Sequence, residues 1–309
     1  MNKLVVASSP HIQSKINTNN IMTDVIIALF PAVIASIIYF GISAMYIIVI
    51  CVLSCVLSEY VSRIVMKREQ TVGDFSAVVT GLLLAMNLPA SINPLIAAFG
   101  GVIAIVVVKQ MFGGIGQNFV NPALASRIIL MNSFPSQMTN WTTPFDAVST
   151  ATPLGILAEG TGEALPSYMD LFMGNRAGCL GETCIAALLV GGAYLVYKNI
   201  ISPVIPLTYL GTVFAFSLVL GRDPIFEILS GGLMLGAIFM ATDYTTSPIH
   251  TKARVVFAIG CGLLTVLIRV YGSLPEGVSY SIVIMNILVP LIERVVKITP
   301  FGAKKAESE

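Results

Sequence analysis

Residues 25–58, with the sequence VIIALFPAVIASIIYFGISAMYIIVICVLSCVLS, contain no charged side chain. A helix needs about 20 apolar residues to cross a bilayer, so this stretch is long enough for two membrane spans. The rest of the chain has the same character: 56% of its 309 residues are hydrophobic and only 11% are charged. A soluble domain has about 25% charged residues, and a soluble globule of this composition would expose much of its apolar surface. The sequence therefore predicts an integral membrane protein.

Composition also excludes several classes of protein. With 17 Lys and Arg against 16 Asp and Glu, the net charge is +1, so no basic surface points to a nucleic acid. The five cysteines form an odd number without a Cys-x-x-Cys pair, which is typical of neither a disulfide framework nor a zinc site. Residues 1–22 are polar and show no secretory signal, so we expect the mature chain to start near Met1.

The apolar runs predict an all-α polytopic membrane protein that forms a single integral membrane domain over residues 1–309. Ten runs are candidate transmembrane helices. The third, fifth and eighth are short for straight spans, as in transporters whose helices are broken. The predicted spans are 23–41, 44–66, 76–88, 95–111, 119–132, 180–197, 203–220, 228–242, 253–271 and 278–297.

The basic residues indicate how the chain is oriented, because positive charges are retained on the cytoplasmic side during insertion. If both termini are cytoplasmic, 13 of the 17 Lys and Arg lie in inner loops, three lie outside, and Arg127 lies within a span. The same orientation places residues 133–179 on the outer face and the tail 298–309 in the cytoplasm. The outer loop is the one predicted segment large enough for a site outside the membrane.

The two halves of the chain resemble each other. Residues 80–85, TGLLLA, are similar to 230–236, SGGLMLG, and residues 108–113, VKQMFG, are similar to 268–272, IRVYG. This order predicts two five-helix repeats, and because five is odd the second would be inverted relative to the first. A chance likeness between Gly-rich apolar helices is the alternative. The predicted repeats are 23–132 and 180–297.

The outer loop contains the sequence DAVSTATP at residues 146–153. Taken alone it predicts a polar turn, since Asp and Ser side chains bond nearby amides and Pro153 favours an extended backbone at Thr152. The sequence also resembles the flavinylation motif Asp-x-x-Ser/Thr-Gly-Ala-Thr, in which a transferase joins the phosphate of FMN to the last Thr. The Asp, Ser and Ala of the motif and the acceptor Thr152 are in register, whereas Thr150 replaces the usual Gly, whose backbone freedom Thr lacks.

A second motif, GGIGQNFVNPAL, occupies residues 113–124 before and within the short fifth span. The amides of Asn118 and Asn121 are able to bond the polar edge of a ring. The same amides are able to cap the helix that follows the glycine-rich turn. Both interpretations stay open at the level of sequence.

With these two motifs in this order, the chain resembles the RnfD/NqrB family of membrane subunits. The family includes the RnfD component of the Rnf ion-translocating ferredoxin:NAD oxidoreductase and, more distantly, the NqrB component of the sodium-translocating NADH:quinone oxidoreductase. The resemblance covers essentially the whole chain, including the segment FMATD at residues 239–243. It implies a helical fold related to urea transporters, FMN bound covalently to Thr152, and a non-covalent riboflavin beside Asn118 and Asn121.

The resemblance also implies a function and partners. Electrons would pass through the flavins of this chain while a complex couples ferredoxin oxidation and NAD reduction to outward movement of Na⁺ or H⁺. The partners would be Rnf subunits A, B, C, E and G, a flavin transferase and membrane lipid, in a bacterial cytoplasmic membrane. The chain would be a subunit of a translocase and not catalytic alone. A urea-type solute channel and a structural scaffold are the alternatives, and neither gives the loop at 146–153 a role.

Ionisable groups inside a membrane are costly, so each is a candidate for function. Glu59 and Arg63 are spaced one helical turn apart, which predicts that they pair with each other. Arg127 is expected either to neutralise an anionic flavin or to snorkel outward. Asp243, followed by YTTSP, is expected either to contact a cation or to bond turn amides, and its sequence context favours the turn.

The charge distribution gives a topology that reporter fusions can check. We expect an alkaline phosphatase fused at position 160 to be active and one fused at the C-terminus to be inactive, because the first would lie outside and the second in the cytoplasm. An inactive fusion at 160, or an active one at the C-terminus, would refute this orientation.

Overall fold

The computed structural model describes residues 17–145, 150–159, 165–272 and 277–296. These residues form helices joined by turns and loops, and the described part of the chain contains no β-strand. The predicted all-α class is therefore confirmed.

The helices differ widely in length. A single-turn 3₁₀-helix, Val72–Asp74, lies between the second and third of them. In chain order they are α1 (Thr18–Phe40), α2 (Ile42–Val65), α3 (Ser76–Met86), α4 (Pro94–Val102, continued by the π-helix Ile103–Gln110), α5 (Pro122–Ser133), α6 (Pro135–Met138), α7 (Pro153–Glu159), α8 (Tyr168–Met173), α9 (Ile185–Tyr197), α10 (Val204–Val219), α11 (Pro224–Leu229), α12 (Leu233–Leu235, continued by the π-helix Gly236–Met240), α13 (Thr251–Tyr271) and α14 (Val278–Val295).

Four of these helices, α1, α2, α13 and α14, are long and apolar enough to cross a membrane. Their outward-facing side chains are large and apolar, as at Ile38, Leu57 and Leu291, which are all more than half exposed. In water so many exposed apolar groups would be unfavourable, whereas lipid tails solvate them. The protein is therefore a multi-pass membrane protein. Each of the ten predicted segments contains a helix, and α3, α4, α9 and α10 are shorter apolar helices.

Three helices begin with the same local device, in which an Asn or Asp precedes Pro. Asn121 Oδ1 accepts hydrogen bonds from the backbone N–H groups of Ala123 and Leu124, and Pro122 occupies the first helical position. Asn93 before α4 and Asp223 before α11 cap their helices in the same way. Pro suits this position because its missing N–H would have no helical partner there, so these starts are encoded locally.

Close helix contacts are made at glycines. At Gly191 of α9 a Cβ would lie 2.0 Å from the carbonyl oxygen of Ala28 on α1. At Gly81 of α3 it would lie 2.7 Å from Cα of Val52 on α2. Small residues allow the backbones of membrane helices to approach and gain packing energy. These contacts join α1 to α9 across the two predicted repeats and α2 to α3 within the first one.

The end of the outer loop packs on the end of α3. Leu180 N donates to Leu88 O at 3.1 Å, and Gly181 N donates to Met86 O at 2.8 Å. Cys179 pairs with Pro89 in an isolated bridge. This junction brings residues just before α9 into the centre of the bundle.

The contact at Gly191 gives a prediction about stability. We expect Gly191→Ala to lower the thermal unfolding midpoint in detergent, because its methyl group would overlap the carbonyl of Ala28 and overpacking costs about 1–3 kcal/mol. Gly211→Ala on α10 is the matched control, since nothing lies within 4 Å of its Cβ position. Equal midpoints for the two variants would contradict this account of the α1–α9 contact.

Candidate functional site

Thr152 lies at the start of α7. Its hydroxyl accepts a hydrogen bond from Gly155 N at 3.1 Å, and Ile156 N donates to its carbonyl at 2.9 Å. The side chain is only 6% exposed. Residues 146–149, which hold the Asp and Ser of the loop motif, lie outside the described residues, whereas Thr150 is described and exposed.

The surroundings of Thr152 fit an attached phosphate. The N–H groups of a first helical turn carry partial positive charge and suit an anion, and the Thr152 oxygen already contacts one of them. A Cβ at Gly155 would lie 3.3 Å from that oxygen, so glycine leaves space beside the hydroxyl. Leu154 anchors helix α7, because its side chain packs with Leu171 of α8 and Phe226 of α11.

A buried charge cluster lies next to this contact. Arg269 donates to Glu227 at 2.8 Å, and the other carboxylate oxygen of Glu227 accepts from Arg222 at 2.8 Å. Gly231 separates Arg269 from α7: a Cβ there would lie 2.8 Å from Leu154 Cδ1 and 3.2 Å from Arg269 Nη2. Two Arg against one Glu give this cluster a net positive charge close to the helix that Thr152 begins.

Helix α8 is tied to α11 by a further polar contact. The hydroxyl of Tyr168 donates to the Asp223 carboxylate, which also accepts from the N–H groups of Ile225 and Phe226. The bond from Tyr168 is the largest cause that holds the pKa of Asp223 below its usual value, followed by the backbone bonds. Since these bonds favour the ionised carboxylate, α8 and α11 are held together at neutral pH.

A second candidate site is a cavity that opens between the ends of α1, α3, α5 and α12. About 110 Å³ of its void is available to the centres of water molecules, and the void measures about 820 Å³ when the part that opens to the outside is included. Asn118 and Asn121 both line it. Its lining is mainly apolar and includes Met22, Val25, Val79, Leu83, Ile115, Leu195, Ile201 and Phe239, together with Ser76, Thr80, Lys109, Thr242, Asp243 and Thr245.

The two Asn side chains are brought together but are also used by the fold. Asn118 Nδ2 donates to Thr245 Oγ1 at 2.9 Å and to Val120 O at 3.1 Å. Asn121 caps α5 through Oδ1 and donates to Met240 O at 3.4 Å through Nδ2. The capping interpretation is therefore confirmed for Asn121, which also lies on the wall of the cavity, whereas binding of a ring by these amides stays a prediction.

The predicted pairing of Glu59 with Arg63 is wrong. Glu59 Oε2 accepts from Lys109 Nζ at 2.8 Å, and Glu59 Oε1 accepts from Thr71 Oγ1 at 2.6 Å. Lys109 also donates to Ser76 Oγ and is 3% exposed. Glu59 therefore pairs with Lys109, which lies on a neighbouring packed helix, and not with Arg63, which lies one turn away on its own helix.

Two further predictions concern single ionisable side chains. Asp243 Oδ2 accepts from the hydroxyls of Thr245 at 2.9 Å and Thr246 at 3.0 Å, so the turn interpretation is confirmed. Arg127 does not snorkel, because it is 3% exposed.

Arg127 instead joins groups that the sequence did not single out. Its guanidinium donates to Asn87 Oδ1 at 2.9 Å and Ser279 Oγ at 3.1 Å, and it lies 3.5 Å from Glu182 Oε1. Cys179 Sγ lies 3.2 Å from Nη2. The available signal was the position of Asn87 and Glu182 inside predicted spans, where polar groups need partners.

The sequence of this chain is similar to those of several known proteins. A family model described as "NQR2, RnfD, RnfE family" matches residues 5–302. The chain is 51% identical to the D component of the Na⁺-translocating ferredoxin:NAD⁺ oxidoreductase complex of Acetobacterium woodii, over 99% of this chain and 98% of that protein. It is 41% identical to the D component of the proton-translocating ferredoxin:NAD⁺ oxidoreductase complex of Clostridium ljungdahlii, with 98% of each chain covered. It is also 36% identical to the D component of an ion-translocating oxidoreductase complex of Stutzerimonas stutzeri, with 93% and 92% covered.

Proposed function

The chain belongs to the NQR2, RnfD, RnfE family, and we propose that it is the RnfD membrane component of an ion-translocating ferredoxin:NAD⁺ oxidoreductase complex. Relatives that cover nearly the whole chain are named as that component, with Na⁺ in one and protons in another. The chain is a subunit of a translocase, and other subunits of the complex complete the reaction. We propose Rnf subunits A, B, C, E and G as its partners.

The electron carrier that we propose in this chain is FMN, joined through its phosphate to Thr152 Oγ1. FMN supplies one- and two-electron transfer when bound, while the protein positions it and sets its surroundings. Three features of the chain support this site: the hydroxyl at a helix start, the space beside Gly155, and the net positive cluster behind Leu154. Because Thr152 is only 6% exposed, we expect attachment of the flavin to require movement of the residues that cover its side chain.

We propose a non-covalent riboflavin in the cavity beside Asn118 and Asn121. The cavity has apolar walls with a few polar groups on one side, which suits a flat ring with a polar edge. The apolar walls and the amides of Asn118 and Asn121 support this occupant. Lys109 provides a positive charge on the wall, which Glu59 balances.

For the membrane, we propose ten spans in two inverted repeats, a urea-transporter-like plan, with both termini on the cytoplasmic side of a bacterial inner membrane. The buried ion pairs support the repeat. Lys109, near the end of α4, bonds Ser76 at the start of α3, and Arg269, near the end of α13, bonds Ser230 before α12. Lys109, Arg269 and Ser230 lie in the segments whose sequences resemble each other, and Ser76 lies four residues before the first of these segments.

A urea-type channel is the alternative function, and it is not favoured. The relatives that cover the chain are named as subunits of an oxidoreductase complex. In the interior between α3 and α5, Arg127 and Asn87 bond to each other in place of an open passage at that point.

Substitution of Thr152 tests the covalent site. We expect Thr152→Val to abolish flavin fluorescence on a denaturing gel, because Val keeps the shape of the side chain and removes the oxygen. Loss of the helix cap will also cost about 1 kcal/mol, so Thr152→Ser is the matched variant that keeps both the cap and the acceptor and should retain label.

Mass spectrometry of the peptide from Asp146 to Leu157, from cells that express the transferase, reads the attachment site directly. Thr150→Val is the second control, since its exposed side chain lies two residues away and should leave the label in place. An unmodified Thr152, or FMN on Thr150, would overturn the assignment.

Removal of the amide donors tests the cavity. We expect Asn118→Leu combined with Asn121→Ser to lower the extractable non-covalent flavin about tenfold, since two hydrogen bonds of about 0.5–1.5 kcal/mol each are lost. Ser keeps an oxygen that is able to cap α5, so helix stability is preserved. Asn132→Leu, an exposed Asn of the same helix, is the control. Unchanged flavin content in a folded double variant would place the second flavin elsewhere.

A further inference from the structure

An unpaired charge is buried at the C-terminal end of α2, outside the flavin cavity. Arg63 is 8% exposed, and its Nε has no hydrogen-bond partner. Within the described residues no carboxylate forms an ion pair with its guanidinium. Next to it Gln110 is fully buried, and both atoms of its side-chain amide also lack partners.

Such an arrangement is costly unless a ligand completes it. An arginine largely withdrawn from water without a counter-ion loses part of its solvation, and a buried amide without hydrogen bonds loses its solvation without compensation. The nearest acid along α2, Glu59, is already shared between Lys109 and Thr71. Asp74 bonds the N–H and hydroxyl of Ser76. The local acids therefore do not neutralise Arg63.

The glycine-rich turn is shaped around this guanidinium. Gly114 has φ +108°, and a Cβ there would lie 2.3 Å from Arg63 Nη2 and 3.7 Å from Gln110 Oε1. A second guanidinium is close by, because Arg68 Nη1 donates to Gln110 O at 3.3 Å, and Arg68 is exposed. Two Arg side chains and an amide therefore lie next to position 114. Any residue other than glycine there would displace the Arg63 side chain.

The same end of the helix pair is surrounded by lipid-facing side chains. Tyr60, Ile64 and Val65 of α2 are exposed, as are Met111 and Phe112 after α4. Helix α2 is one of the four helices long enough to span a membrane, so Arg63 lies within the last turn of a span. Basic pockets between membrane helices at this depth bind the headgroups of anionic lipids.

We propose that Arg63, Arg68 and Gln110 form a binding site for the phosphate of an anionic phospholipid whose acyl chains lie along the exposed faces of α2 and α4. The phosphate oxygens accept hydrogen bonds from the two guanidinium groups, which match phosphate in geometry. Gln110 supplies a donor and an acceptor to water or headgroup hydroxyls that accompany the phosphate. This site stands independently of the two flavin sites.

The test uses the intact complex, purified with wild-type chain, Arg63→Gln, Arg63→Lys or Arg68→Gln. Each preparation is delipidated and titrated with phosphatidylglycerol in nanodiscs of phosphatidylcholine, and the anionic lipid retained per complex is counted by mass spectrometry. We expect Arg63→Gln to weaken retention of one phosphatidylglycerol about tenfold or more, because a charge-assisted hydrogen bond is worth at least that factor. Arg63→Lys keeps the positive charge but lacks the planar set of donors of a guanidinium. Its lipid retention should lie between those of the wild type and Arg63→Gln.

Lys252→Gln is the control, since it removes an exposed cation at the start of α13 without touching this pocket. Its lipid retention should equal that of the wild type. Equal retention in all variants would overturn the proposal, as would equal binding of phosphatidylcholine. If inorganic phosphate displaced phosphatidylglycerol and bound with equal affinity, at millimolar concentration, the site would bind free anions and not lipid, which would also overturn the proposal. Absence of lipid at the pocket because another subunit covers Arg63 would equally overturn it.

Discussion

The constraint on which the structure depends is that a charge inside an apolar bundle must meet an opposite charge or a set of strong hydrogen bonds. Lys109 and Glu59 satisfy this requirement between α4 and α2, and Arg269 and Glu227 satisfy it between α13 and α11. Removal of one partner from such a pair is far more costly than the pair itself is stabilising. The pairs therefore fix which helix ends lie together, and those ends form the walls of both candidate flavin sites.

The two pairs have related positions and serve different surroundings. Each joins a basic residue near the end of the fourth span of a predicted repeat to a buried Glu, on α2 in the first half and on α11 in the second. Lys109 also bonds the hydroxyl of Ser76, and Arg269 also bonds the backbone carbonyl of Ser230. In the first half this places Lys109 on the wall of the cavity. In the second half the ion pair places Arg269 close to Leu154 of α7, the helix that begins after Thr152. Under the proposed repeat, one scaffold would thus place a basic residue near each of the two proposed flavin sites.

Local features of the sequence predicted local features of the structure. Long apolar runs became helices because backbone groups in lipid must bond within their own segment, and Asn121 before Pro122 capped α5 because the cap needs only its next few neighbours. Partner choice was not predictable in the same way. Glu59 lies one turn from Arg63, but packing brought Lys109, 50 positions further along the chain, to 2.8 Å. The short helices of the outer loop were likewise missed, because their contacts come from distant elements such as α11.

The glycine-rich turn between α4 and α5 connects these environments. Gly114 contacts Arg63 on the membrane side, and Asn118, four residues later, lines the cavity and bonds Thr245. The three glycines at 113, 114 and 116 all have positive φ, a backbone that other residues adopt only with strain. Backbone hydrogen bonds from the N–H groups of Gly113, Gly114 and Gln117 hold this turn, and Arg63 and Thr245 contact it at its two ends. An anion at Arg63 would therefore steady the backbone that positions the Asn118 amide, and the lipid site and the cavity would share one structural element.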